Sequence, residues 1–266
     1  MPEKNSLQRL RVILIGSGNV ASNLGRALLA ADTEIVQVYS RKAANAKALA
    51  KKLKAKVLSD LSKMDKRPSL IIIAVKDDAI EGIVKKINVN DGIVVHTSGT
   101  VSMDVLKKFT QYGVFYPLQT FSKDRKTEFS NVPMCLEGSD VSTLKSLMNI
   151  AETLSECVYN LDTKQRQAAH LAAVFANNFT NHMYSIAEEI LNESKLPFDL
   201  IRPLIDETAL KVMDDFPANT QTGPAARKDT KVMTKQIALL KKQPELKELY
   251  NEISQSIIKR TSRKKK

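Results

Sequence analysis

The stretch Gly16-Ser17-Gly18-Asn19-Val20-Ala21 could do chemistry with its backbone alone. In a G-x-G-x-x-G/A pattern the first glycine permits a tight turn and the second lets a pyrophosphate approach bare N–H groups. The small third residue allows a helix to pack closely on a strand. The pattern carries meaning only between a strand and a helix. Here Arg11 to Ile15 (RVILI) reads as the strand and Asn19 to Ala31 as the helix. The helix would offer unpaired N–H groups and its positive end to phosphate charge. Gly16, Ser17, Gly18, Asn19 and Val20 are therefore predicted to hold a dinucleotide; the plain alternative is a structural glycine turn.

The next predicted strand, Glu34 to Tyr39, runs into Ser40-Arg41-Lys42. An NAD site places Asp or Glu here, about 20 residues on, to bind the ribose hydroxyls. This chain has none. A hydroxyl, a guanidinium and an ammonium instead suit an adenosine 2′-phosphate, so the expected cofactor is NADP. The bland reading of Arg41 and Lys42 is two solvated charges. Ligands sit at the carboxyl ends of parallel strands. Ala74 to Asp77, His96 to Gly99 and Tyr116 to Gln119 are thus candidates for the nicotinamide end, the alternative for each being a plain turn. Thr97 and Ser98 are small hydroxyls that can touch a carboxamide or substrate without filling the pocket.

A second constellation lies further on. His170, Asn177 and Asn181 fall on one helical line at about 100° per residue, with Asn178 at its shoulder. The face is polar and neutral, unlike a solvated face of Lys and Glu. Buried amides need partners, so it suggests an interface or a wet pocket, or else plain bonding to loops across a domain boundary. Imidazole exchanges protons near neutral pH, which makes His170 a candidate general acid.

These residues must be positioned by two kinds of architecture. The first half alternates short apolar runs with amphipathic stretches, as in βαβ units around a parallel sheet. After the first strand–helix–strand come a helix at Ala43 to Leu53 and Leu70 to Val75, an apolar run suited to a central strand covered on both faces. A helix from Asp77 or Asp78 to Lys86 follows, then strands at Gly92 to His96 and Tyr112 to Tyr116. Val132 to Glu137 and Cys157 to Asn160 read as later strands, with antiparallel pairing one option, around a helix at Asp140 to Leu154. From Asp162, which with Gln165 forms a capping-box pattern, only helical periodicity remains. Ala168, Ala172, Phe175, Phe179, Ile186 and Ile190 make an apolar stripe that predicts a two-fold dimer. The domain boundary is placed near 160.

Composition narrows the class. Hydrophobic residues are 43% and charged residues 26%, and no apolar run approaches the ~20 residues that span a bilayer. Cys135 and Cys157 cannot build a disulfide framework or a multi-thiolate metal site, so no metal is expected. The start shows no signal-peptide pattern, which points to the cytoplasm. The net charge of +12 raises nucleic acid as a partner. Its lysines are spread over helix faces and the final KRTSRKKK, without interleaved aromatics and with no Trp, so a nucleic-acid role is not expected.

The order GSGNVA, YSRK, LIIIAVKDDAI, HTSGT, FYPLQTFS, QRQAAHLAAVFANN and TGPAARKD resembles the Rossmann-like NADP oxidoreductases of the 6-phosphogluconate dehydrogenase-like superfamily. Those proteins are related to pyrroline-5-carboxylate reductase and ketopantoate reductase, and carry a C-terminal helical domain of unknown function. The resemblance is specific in FYPLQTF, in His170 with Asn178, and in Thr222-Gly223-Pro224 with Arg227 and Asp229. It departs where hydroxyacid and ketopantoate enzymes carry a Lys-x-x-x-Asn pair, since His170 stands in place of the lysine. The middle position of Arg227-Lys228-Asp229 is also not the glycine of the family pattern. The resemblance implies an α/β protein: a Rossmann NADP-binding domain over 1–160, then an all-α dimerisation domain over 161–266 that closes the site.

The expected activity is reduction of a small C=N or C=O substrate by NADPH at a site between the domains. His170 would serve as acid and Asn178 would orient substrate or carboxamide. Arg227 would grip a substrate carboxylate, and Ser98 would contact the reacting group. The alternative is a non-catalytic NADP-binding sensor or regulator.

Overall fold

The computed structural model describes residues 9–89, 91–122, 125 and 127–263. The chain divides into two compact units, Met1–His182 and Met183–Lys266.

The first unit is built on an eight-stranded sheet in the order β3-β2-β1-β4-β5-β6-β7-β8. Its strands are β1 (Arg11–Ile15), β2 (Glu34–Tyr39), β3 (Lys56–Leu58), β4 (Leu70–Ile73), β5 (Ile93–His96), β6 (Tyr112–Pro117), β7 (Met134–Gly138) and β8 (Val158–Asn160). Pairing is parallel from β3 across to β6. β7 runs antiparallel to β6, and β8 parallel to β7. The helices are α1 (Asn19–Ala30), α2 (Ala43–Leu53), α3 (Asp77–Lys86), α4 (Val141–Glu152) and α5 (Thr163–Ala173). The chain order reverses between β1 and β4, the switch point where doubly wound sheets bind ligands.

Alternation along the strands sends side chains to two separate cores. Val12 and Leu14 of β1 join Leu70, Ile72, Val95 and residues of α1 and α2 on one face. Ile13 and Ile15 join Ile71, Ile73, Val94 and residues of α3 on the other. Every residue of β4 is fully buried, as an apolar run covered on both faces requires.

At the start of α5 the Asp162 carboxylate accepts from the Gln165 N–H (2.8 Å). The Gln165 side-chain oxygen accepts in return from the Asp162 N–H (3.0 Å). After α5, residues Val174–Phe179 form a π-helical segment, and α6 (Thr180–Glu193) follows. A π turn carries one extra residue, so it slips the helical phase by about 100°. The straight line drawn from His170 through Asn177 and Asn181 assumed a regular helix and is corrected here by that slip.

The second unit continues with α7 (Arg202–Asp214), α8 (Pro217–Thr220), α9 (Pro224–Arg227), α10 (Thr230–Leu239) and α11 (Pro244–Arg263). Short α9 packs against α10 and α11. Among the described residues of this unit only Ala225, Met233 and Ser254 are buried. An apolar hollow of about 340 Å³ opens between Ile186, Ile190, Leu246, Leu249, Ile253 and Ile257. No described helix is long and apolar enough to cross a membrane.

Candidate functional site

The turn after β1 is forced by contact with β4. Gly16 has φ of +132°, and a Cβ there would lie 2.0 Å from the Ala74 carbonyl oxygen. Only glycine fits both conditions. Gly18 differs. It is the N-cap of α1 in extended backbone, offers no capping side chain, and has open space where a Cβ would stand. The first-turn N–H groups of α1 therefore face a bare cradle of the kind anions fill. Asn19 and buried Asn23 tie the helix to the segment after β6, donating to the carbonyls of Phe121 (2.6 Å) and Ser122 (3.0 Å).

Beside this cradle the hydroxyls of Ser17 and Ser40 lie 2.7 Å apart, joining the β1 turn to the end of β2. Arg41 and Lys42 are exposed just beyond. A hollow of about 110 Å³ opens beside Ser17, lined also by Arg26, Asn45 and Lys52. Val20 is half-buried on α1. Ala74 and Thr97 are buried at the ends of β4 and β5, with Val75 half-buried next to Ala74.

The loop after β5 is held from every side. Burial, and then the charge of Arg166, push His96 down to about 4, so the ring is neutral. Its Nδ1 accepts from the Ser98 N–H (3.1 Å), which places the ring proton on Nε2. The Ser98 hydroxyl oxygen accepts from the N–H groups of Thr100 (3.1 Å) and Val101 (3.0 Å). The Ser98 and Thr100 hydroxyls lie 3.4 Å apart, so the Ser98 hydroxyl serves the turn with its hydrogen as well. Thr100 in turn donates its hydroxyl to the Asp77 carboxylate.

His170 sits against this loop. Its Nδ1 lies 2.8 Å from the Tyr116 hydroxyl at the end of β6, with the two rings edge-to-face at 5.9 Å. Burial raises the Tyr116 phenol to about 12, so it stays protonated and can donate to Nδ1 or accept from it. Gly99 makes the fit possible, since a Cβ there would be 2.6 Å from His170 Nδ1. His170 and Tyr116 therefore meet at the carboxyl edge of the sheet, beside Gly99, the residue that follows Ser98. Asn177, Asn178 and Asn181 are exposed. Arg227 is exposed on α9 of the second unit, after Gly223, whose φ is +102°.

Residues 2–120 match the Rossmann-like domain family, and residues 132–257 match the domain of unknown function DUF2520. A solved Bacteroides fragilis protein assigned to the NADP oxidoreductases is 42% identical to this chain. It aligns over 94% of this chain and 98% of its own, with a TM-score of 0.87. This chain belongs to the family that joins a Rossmann-like domain to a DUF2520 domain. A Thermotoga maritima protein shares the fold at 23% identity and a TM-score of 0.74, over 97% of this chain and 100% of its own. So does a reductive aminase from Aspergillus terreus solved with NADPH and ethyl levulinate, at 13% identity and a TM-score of 0.70, over 93% and 94%. No curated protein matches the chain.

In this family member, sequence reasoning missed Arg166, Glu137 and Gln167, and named Gly99 only as part of the loop after β5. Arg166 is fully buried, donates to the Ser98 carbonyl (2.9 Å) and pairs with Glu137 (3.0 Å). One signal was available: Arg166 lies one helical turn before His170, so both belong to the same face of α5.

Proposed function

We propose that the protein is an NADP-dependent oxidoreductase that reduces a small C=N or C=O substrate. One observation carries the reading. The bare glycine cradle and the Tyr116–His170 pair both lie at the carboxyl edge of one sheet, where such folds bind ligands. The cradle fits a dinucleotide: open space stands over Gly18 and the N-terminus of α1 is uncapped. The NADP oxidoreductase assignment of the Bacteroides fragilis relative supports the same reading.

Gly16, Ser17, Gly18, Asn19 and Val20 would hold the pyrophosphate. Ser40, Arg41 and Lys42 would hold the 2′-phosphate, and Ala74, Val75 and Thr97 the nicotinamide side. The cofactor would supply hydride to the substrate carbon. His170 would give a proton to the substrate nitrogen or oxygen, with Tyr116 fixing the ring through Nδ1. Asn178 and Arg227 are proposed substrate contacts, since both are exposed and a guanidinium can grip a carboxylate in two places.

NADPH is expected to bind far more tightly than NADH in a fluorescence titration. Arg41→Ala should weaken NADPH alone by about tenfold or more, the worth of one hydrogen bond to a charged group. Equal affinities for the two nucleotides would sink the NADP assignment.

We also propose that region 161–266 makes a homodimer. Phe175 is 63% exposed and Met213 83%, with Leu200, Leu204 and Phe216 exposed as well. So much large apolar surface on a region with few buried residues calls for a cover, and a second copy supplies one by two-fold symmetry. Light scattering at micromolar concentration should give twice the chain mass; a monomer would rule the dimer out.

A further inference from the structure

Arg166 is fully buried, and burying a guanidinium is costly unless its donors are matched. One nitrogen, Nη2, donates to Glu137 (3.0 Å) and to the Thr163 hydroxyl (3.2 Å). The other, Nη1, donates to the Ser98 carbonyl (2.9 Å), while Nε has no hydrogen-bond partner among the described residues. A buried ion pair with an unmatched donor is a poor source of stability, because a well-packed apolar pair often serves as well. Its geometry is more telling. The Ser98 carbonyl is one residue before Gly99, on which the His170 ring rests. Gln167, next to Arg166, donates to the Thr100 carbonyl (2.7 Å). One turn of α5 therefore contacts three consecutive loop residues, Ser98 by Arg166, Gly99 by His170 and Thr100 by Gln167.

We propose that Arg166 is a positioning residue: its guanidinium, oriented by Glu137, fixes the Ser98 carbonyl and so seats the His170 ring on Gly99 against the Tyr116 hydroxyl. The functional part rests on the proton-donor role given to His170 above. Arg166 touches neither substrate nor cofactor in this scheme. It sets the distance and the angle at which the imidazole meets its partner, and errors of about 1 Å in such placements can cost about 100-fold in rate.

The test replaces both charges, so that neither is left stranded. In the full-length double variant Arg166→Met with Glu137→Leu, a cooperative thermal melt and NADPH affinity within about twofold of wild type are expected. The ¹⁵N resonances of the His170 side chain, read without cofactor, should shift as they do in Tyr116→Phe, which removes the hydrogen-bond partner outright. The kcat for NADPH-dependent reduction of a small cyclic imine should fall about tenfold or more with KM little changed. If the double variant fails to fold, Arg166→Lys takes its place, since an ammonium can pair with Glu137 but cannot also span to Ser98. A folded variant with wild-type His170 resonances, or with those resonances shifted and kcat unchanged, would overturn the proposal. Absence of turnover in the wild type would sink the enzyme reading alone, and the nitrogen resonances would still decide whether Arg166 seats His170.

Discussion

His170→Ala is expected to lower NADPH-dependent turnover by about 10²–10⁴-fold, the range for removal of a positioned general acid, with NADPH affinity within about twofold of wild type. The split follows from placement. His170 meets Tyr116 and Gly99, at the ends of β6 and β5, whereas the proposed dinucleotide cradle is made by the turns after β1 and β2. Tyr116→Phe should show a milder form of the same loss, because it leaves the imidazole in place and removes only what orients it. Steady-state kinetics with a cyclic imine and with a 2-keto acid, beside a binding titration, measures both quantities. A wild-type protein that binds NADPH and turns over neither class would favour the sensor reading. A His170→Ala variant with full turnover would remove the residue from the mechanism.

Local patterns were legible where one element decides them. RVILI followed by GSGNVA identifies strand, turn and helix because sterics at Gly16 and the apolar run of β1 act within a few residues. The buried run at Leu70 to Ile73 announces a central strand for the same reason. β3 escaped notice: only three residues long, with Lys56 and Val57 exposed, it presents no alternation to read. The π segment escaped too, and with it the true phase of the asparagines, since periodicity arguments assume a constant turn. The change of texture at Asp162 marks a change of element. The compact unit nevertheless runs on to His182, because Arg166, Gln167 and His170 reach back to the β5 loop, to β6 and to β7. Contacts of this kind join residues roughly thirty to seventy positions apart in sequence. Nothing in the spacing of Ser98, Tyr116, Glu137 and Arg166 announces them, so His170 could be proposed from its type and its helix while its partners could not.

The two glycines of the proposed cradle should behave in opposite ways when each is replaced by alanine. At Gly16 a Cβ would stand 2.0 Å from the backbone oxygen of Ala74, the residue that directly follows the buried strand β4, and φ of +132° is itself unfavourable to any L side chain. Strain and overpacking each contribute about 1–3 kcal/mol, so Gly16→Ala should lose about 3 kcal/mol or more of stability and with it the cofactor turn. At Gly18 the backbone is extended, with φ of −77°, and nothing lies within 4 Å of the added methyl group. Gly18→Ala should therefore fold normally, and the loss of unfolded-state freedom should stabilise it by ~0.4–1 kcal/mol. Yet the same methyl group would occupy the space through which a pyrophosphate must approach the N–H groups of α1. NADPH affinity should fall about 100-fold, ~3 kcal/mol, in a protein that melts no lower than wild type. Melting curves and NADPH titrations on the two variants separate the roles. An intact Gly18→Ala variant that binds NADPH as wild type does would place the pyrophosphate elsewhere, and Gly16 would then be a packing glycine only.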